Sequence, residues 1–176
     1  DAYTNLHDAF ISAHPDDTIW VAEGTYYPTV DMNGDSNPAD NRTKTFTIPN
    51  MVKIYGGFDG TESQFSDRNP ETNRTILSGD VGVENDNTDN GYHVVYFYHV
   101  DEGTVLDGFE ITGGNADGAG SPANKGGGIF IDGADFSDSN PLIRNCWILS
   151  NHASEGGGIY SRSEYSRNVP KIINSV

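Results

Sequence analysis

The sequence predicts an all-β fold assembled from stacked, repeating strand units, and three observations carry that expectation. Gly (21), Asp (18) and Asn (17) together supply 56 of the 176 residues. Turn-forming residues at that density exclude a helical bundle and favour many short strands. Two separate motifs recur in the same order. Gly126-Gly127-Gly128-Ile129-Phe130 returns 30 residues later as Gly156-Gly157-Gly158-Ile159-Tyr160, and Pro141-Leu142-Ile143-Arg144-Asn145-Cys146 returns 29 residues later as Pro170-Lys171-Ile172-Ile173-Asn174-Ser175. A period of about 20 to 50 residues marks stacked supersecondary units. Finally, Gly, Asn, Asp or Pro punctuates nearly every gap between short apolar runs, which is the pattern of strands joined by turns.

One segment reads as helix. Leu6, Ala9, Phe10 and Ala13 fall at i, i+3, i+4 and i+7. Thr4 or Asn5 serves as N-cap, Asp8 lies in the first turn and Pro15 stops the helix. So short a helix with so narrow an apolar stripe needs something to lie on. Strands are expected at Thr18 to Ala22, then along Glu23 to Pro28, and at Lys44 to Ile48, Val52 to Tyr55, Thr75 to Leu77, His93 to Val100, Thr104 to Thr112, Gly128 to Ile131, Leu142 to Leu149, Gly158 to Tyr160 and Lys171 to Ile173. A polar insertion separates the early strands at about Asp31 to Asn41. An older copy of the second motif, Thr104 to Ile111, aligns on the 141 segment at an offset of 37.

Each unit holds two or three strands and no helix, so each is expected to be one coil of a parallel β-helix, a solenoid. Ile129 then stacks on Ile159 and Ile143 on Ile172, while Asn145 over Asn174 forms an amide ladder at a bend where Asn tolerates left-handed backbone. The 1–17 segment caps the first coil, 18–112 forms irregular early coils with insertions, and 113–176 forms regular coils of about 30 residues, all in one domain spanning 1–176. The last coil stops at Val176 with no capping pattern after it. An uncapped C-terminal end, a longer parent chain or a second molecule over that end is therefore expected.

These residues resemble the right-handed parallel β-helix repeat proteins of bacterial surface and secreted polypeptides. The opening helix with Asp17-Thr18-Ile19-Trp20-Val21-Ala22-Glu23-Gly24-Thr25-Tyr26 resembles the start of pectate-lyase-like domains. The two Gly-Gly-Gly-Ile copies resemble the Gly-Gly-Ala-Ile repeats of polymorphic outer-membrane proteins. The resemblance implies right-handed coiling, in keeping with the general rule for crossovers, and an extracellular or cell-surface location. It does not choose between enzyme, adhesin and stalk, because the fold carries all three.

Charge narrows the partners. The chain carries 26 acidic against 10 basic residues, net −16. That balance removes any electrostatic case for nucleic acid or an anionic membrane, and no apolar run is long enough to insert in a membrane. Residues 1–140 hold 24 acidic and 6 basic residues, whereas 141–176 hold 2 and 4. Head-to-tail association into a homo-oligomer or filament through the open end is a consequence to test.

Two loops offer oxygen donors for calcium. Asp31, Asn33 and Asp35 alternate as a calcium loop begins, but Ser36 and Arg42 occupy the positions where an EF-hand needs Gly and Glu. Asp80 through Glu84, with Asp86, Asp89 and Asn90, gives a second oxygen-rich loop, in which Asp80, Asp86 and Asp89 are the candidate ligands. For both, a solvated turn is the competing account. No other cofactor is implied. His7, His14, His93, His99 and His152 lack metal-ligand spacing, and the lone Cys146 aligns with Phe109 and Ser175 at an inward position. Tyr96 and Tyr98 alternate against Phe97, so one face is core and the other a candidate platform for stacking sugar rings. Trp147 and Tyr165 are further candidates for such a surface. Arg144, with Asp107 and Lys171 taken as its equivalents, reads as a member of an outward mixed-charge ladder.

Catalysis lacks a constellation. Asn87-Thr88-Asp89 and Asp16-Asp17 echo polygalacturonase motifs, but no Gly-His-Gly or Arg-Ile-Lys accompanies them. The leading expectation is a non-enzymatic structural or adhesive segment. The alternatives are the N-terminal part of a polysaccharide lyase or glycoside hydrolase, and a calcium-stabilised module binding a polysaccharide or cell-surface glycan.

Overall fold

The computed structural model describes residues 2–134, 137–165 and 167–176. Helix α1 spans Leu6–Ser12. Asn5 caps it by accepting from the His7 N–H through its side chain, and Ala13 leaves it in extended backbone ahead of Pro15. Leu6 and Phe10 point into the same buried cluster as Val21 and Phe46, which supplies the support the short helix needs.

Fifteen strands follow among the described residues. They are β1 (Thr18–Ala22), β2 (Gly24–Tyr26), β3 (Phe46–Thr47), β4 (Lys53–Phe58) and β5 (Thr75–Ser78). Next come β6 (Val95–Tyr98), β7 (Val105–Asp107), β8 (Phe109–Thr112), β9 (Asn115–Ala116) and β10 (Ile129–Gly133). The last are β11 (Leu142–Arg144), β12 (Trp147–Leu149), β13 (His152–Ala153), β14 (Ile159–Ser163) and β15 (Lys171–Ile173). They form four sheets, ordered β1-β4-β7-β11-β15, β14-β10-β6-β3, β12-β8-β5-β2 and β13-β9. All pairings between these strands are parallel.

The expected single right-handed parallel β-helix is corrected by this arrangement. The strands lie in four separate sheets of five, four, four and two members, with no closed solenoid. What agrees with the sequence is parallel pairing at the repeat distance. Ile129 faces Ile159, Ile143 faces Ile172, and Asn174 Nδ2 donates to Asn145 Oδ1 at 2.8 Å. The physical reason for the separation lies at the strand ends. Gly108 (φ 82°) divides the single expected strand 104–112 into β7 and β8, and Asn145 (φ 52°) divides 142–149 into β11 and β12. A left-handed residue turns the backbone out of its ladder, so the chain continues in another sheet.

Alternation then assigns the faces. In the first sheet Ile19, Ile54, Leu106, Ile143 and Ile172 share one register line, and Trp20, Tyr55, Asp107, Arg144 and Ile173 share the next. Leu106 and Ile143 are fully buried, and each such side chain stabilises the fold by about 1.5–3 kcal/mol. They join Phe97, Ile129 and Ile131 of the second sheet and Leu77 and Ile111 of the third in one buried cluster. The Gly-Gly-Gly motif serves close approach. A Cβ on Gly128 would come 2.6 Å from the Gly158 carbonyl oxygen of the next repeat, where Gly128 N–H bonds the Gly157 carbonyl at 2.9 Å.

Candidate functional site

The outward line Trp20–Tyr55–Asp107–Arg144 is where charge and aromatic surface gather. Between β4 and β5 the chain folds back across it. Gly57 starts that return in left-handed backbone (φ 94°), and a Cβ there would collide with Pro70. The Asn69 N–H then bonds the Gly57 carbonyl at 2.7 Å. A single 3₁₀ turn, Phe65–Asp67, places Phe65 edge-on to Tyr55 with centroids 4.7 Å apart, and Trp20 stacks flat on Phe58 at 4.7 Å.

Arg68 follows that turn. Its guanidinium lies 5.3 Å from the Tyr55 ring centre and 5.2 Å from that of Phe65, within the range of a cation–π contact. Its Nη2 reaches Asp107 Oδ1 at 2.6 Å. The second oxygen, Oδ2, accepts from Arg144 Nε at 2.6 Å, and Asn145 Nδ2 donates to Oδ1 at 2.9 Å. Asp107 is only 2% exposed. Burial by itself would raise its carboxyl, but the hydrogen bonds from Arg68, Asn145 and Arg144 and the Arg68 charge outweigh it and hold the carboxyl below the usual aspartate range. One carboxylate thus anchors two guanidiniums, and Glu71 adds a second acidic side chain to the same lining.

A groove of about 830 Å³ opens beside this cluster, lined by Arg68, Asp107, Arg144, Asn145, Trp147 and Asn174 among others. Trp147 carries the guanidinium of Arg74 4.4 Å from its ring centre, and Arg74 in turn lies 3.6 Å from Glu110. Chemically the groove offers an aromatic surface, amides that both donate and accept, and guanidiniums suited to bidentate recognition of carboxylate or sulfate. Cys146, which also lines it, is 1% exposed, and burial pushes its thiol up to about 11.

The residues singled out in the sequence are distributed differently. Tyr96 is 5% exposed, donates from its hydroxyl to Asp132 Oδ2 at 2.9 Å, and stacks on Phe130 at 5.7 Å. It faces away from Phe97 as alternation requires, yet it is covered. Tyr98 is 41% exposed and stacks on His99 at 3.7 Å. The two rings lie 6.0 Å apart, on the second sheet and away from the groove lining. Asp31 accepts from the Asn33 and Asp35 N–H groups and from Asn33 Nδ2, and Asp35 accepts from Asn37. The first oxygen-rich loop therefore spends these carboxylates on its own turns. Asp86 likewise accepts from Thr88 N–H and Oγ1. Asp80 and Asp89 each keep one oxygen buried without a hydrogen-bond partner. Among the described residues no three His, Cys, Asp or Glu side chains converge as a metal cluster, and no helix is long and apolar enough to cross a membrane.

The mixed-charge ladder is corrected in one member. Arg144 faces Asp107 and Ile173, whereas Lys171 faces Leu142 and reaches out to Glu102 at 2.9 Å. Arg68 and Arg74 escaped the sequence reading because they sit in or beside an irregular connection with no periodicity to assign them a face. Trp147 was visible as an aromatic in a repeat strand, but its neighbours were not. Comparison with family models, curated proteins and solved structures finds no match to the chain.

Proposed function

We propose that the chain is a non-enzymatic adhesive module of a bacterial surface or secreted protein, and that the groove beside Asp107 holds an acidic polysaccharide or cell-surface glycan. The observation that carries this reading is the pair Arg68 and Arg144 sharing one buried carboxylate next to Trp147. Sugars bind through apolar ring faces laid on aromatics and through hydroxyl contacts with polar side chains. Acidic sugars add a charge that the two guanidiniums recognise. Arg144 is suited to this because its side chain is 37% exposed while its Nε is held on Asp107. Binding rather than cleavage is favoured by the state of Asp107, both of whose oxygens already accept from cationic or amide donors. Hydrolysis would need two carboxyls set across the scissile bond with lone pairs to use.

Affinity electrophoresis through gels containing alginate, polygalacturonate or uncharged dextran tests the proposal. Retardation by an acidic polymer that weakens with added salt, and at least about tenfold weaker binding for Trp147→Ala and for Arg144→Ala with unaltered circular dichroism, is the expected result. Equal mobility in all three gels, or retardation that both variants retain, would overturn it.

A further inference from the structure

The loop between β5 and β6 leaves three side-chain oxygens unsatisfied. Asp80 Oδ1, Asp89 Oδ1 and Asn90 Oδ1 are buried side-chain acceptors that meet no donor. Each carboxylate is fixed by its other oxygen. Asp80 Oδ2 accepts from the Asn85 N–H at 3.0 Å, and Asp89 Oδ2 from the Val83 N–H at 2.8 Å. Asn90 is only 6% exposed, and its Nδ2 donates to the Gly113 carbonyl at 2.7 Å, which turns Oδ1 away from that bond.

Two glycines relate the positions of these residues. A Cβ on Gly113 would stand 3.6 Å from both Asn90 Nδ2 and the Asp80 nitrogen, so the Asn90 amide lies beside the start of the loop. A Cβ on Gly82 would collide with the Asp89 carboxylate, reaching within 2.7 Å of Oδ1. Asp89 is therefore pressed against the segment that begins at Asp80. Acceptors without donors, two of them bearing negative charge, are a poor match for one another and a good match for a cation.

We propose that Asp80, Asp89 and Asn90 bind a calcium ion in this loop. The donors are all hard oxygens, with no His or Cys among them, which disfavours zinc and the later transition metals. The setting is an irregular loop rather than a rigid octahedral cage, which suits calcium with its six to eight flexible oxygen contacts better than magnesium. Backbone carbonyls and water complete the shell. Two carboxylates and one amide place the affinity among the weaker calcium sites, with Kd on the order of 10⁻⁴–10⁻³ M, as in extracellular modules.

The test is calorimetric titration of calcium chloride into the chelator-treated full chain. One ion per chain at that affinity is expected, weakened at least about tenfold by Asp80→Asn or Asp89→Asn and unchanged by Asp31→Asn, whose carboxylate serves another loop. The wild-type protein alone also decides the matter through its urea midpoint, which rises with calcium if the site is real. No uptake at about 10 mM calcium together with an unmoved midpoint, or uptake that both Asp80→Asn and Asp89→Asn retain, overturns the proposal and leaves ordered water as the partner of these oxygens. Neither readout involves a polysaccharide, so it stands or falls separately from the groove.

Discussion

Asp107 and Arg144 face each other on the neighbouring parallel strands β7 and β11, and the arginine Nε closes to 2.6 Å from the carboxylate Oδ2. Thirty-seven residues of chain separate them. Arg68 closes on the other oxygen from a different part of the chain. The carboxylate thus ties together two neighbouring strands of the first sheet and the segment that folds back over it.

Removing that carboxylate leaves two guanidiniums without their shared partner. Asp107→Ala is expected to lower stability by about 3–5 kcal/mol, as for a broken buried pair, measured as a lower urea midpoint. Because folding lowers the carboxyl below its ordinary value, its contribution is complete above the unfolded value, about 3.9, and is lost as pH falls through the folded value. The wild type is therefore expected to lose stability more steeply than Asp107→Asn as the medium is acidified below about pH 4. Parallel acid limbs for the two proteins would contradict this.

Phe130 is fully buried although it points away from the main cluster. Its ring lies between Tyr96 and Tyr160, 5.7 Å from each and within 5° of parallel, with His93 stacked at 5.0 Å. Phe130→Ala should cost about 3–5 kcal/mol, and half-buried Tyr160→Ala less. Thermal or urea unfolding of the two variants makes the comparison.

Gly128→Ala introduces a Cβ 2.6 Å from the Gly158 carbonyl oxygen, a backbone atom that cannot swing aside. A destabilisation of about 1–3 kcal/mol is expected from such overpacking, whereas Gly120→Ala, where nothing lies within 4 Å, should be close to neutral. Denaturant midpoints for the pair distinguish a steric cost from a general dislike of alanine.

Cys146 is buried with its thiol pushed up to about 11. Its thiolate is scarce at neutral pH and shielded from reagents. Ellman's reagent at pH 8 should leave the native protein unmodified for as long as it stays folded and titrate one thiol per chain in urea. Prompt reaction of the native protein would mean that the strand ends around Cys146 open readily.

The parts of the fold that the sequence shows are those fixed by nearest neighbours. Asn5 and Pro15 bound α1 because capping and termination are local, and the Ile129–Ile159 and Ile143–Ile172 pairs follow from a repeat that copies an inward side chain at a fixed distance. The left-handed bend at Asn145 is legible because Asn tolerates that backbone, and its φ is 52°, whereas Gly108 redirects a ladder inside a continuous apolar run where hydrophobic alternation carries no trace of it. The strands β9 and β13 have two residues each, too few for any periodicity. At the groove, Arg144 could be placed on an outward face, but its partner Arg68 arrives through an irregular connection whose course is set by Gly57 and Pro70. Alternation sets Tyr96 opposite Phe97 without saying which face is open, and Tyr96 is covered because its hydroxyl bonds Asp132 of the neighbouring β10, which Arg162 of β14 holds in turn, while its ring stacks on Phe130.

The wholly parallel pairing has a consequence for how the chain reaches this structure. Paired residues in the named strands lie between 29 positions apart, as Ile143 and Ile172, and 52 positions apart, as Ile54 and Leu106. Among the described residues no hairpin joins two of the named strands, so each of these ladders must close a long loop before it gains a hydrogen bond. Assembly is accordingly slow for a chain of this size. While it proceeds, unpaired strand edges compete for partners on other molecules. Refolding yield should therefore fall with protein concentration well before equilibrium stability does.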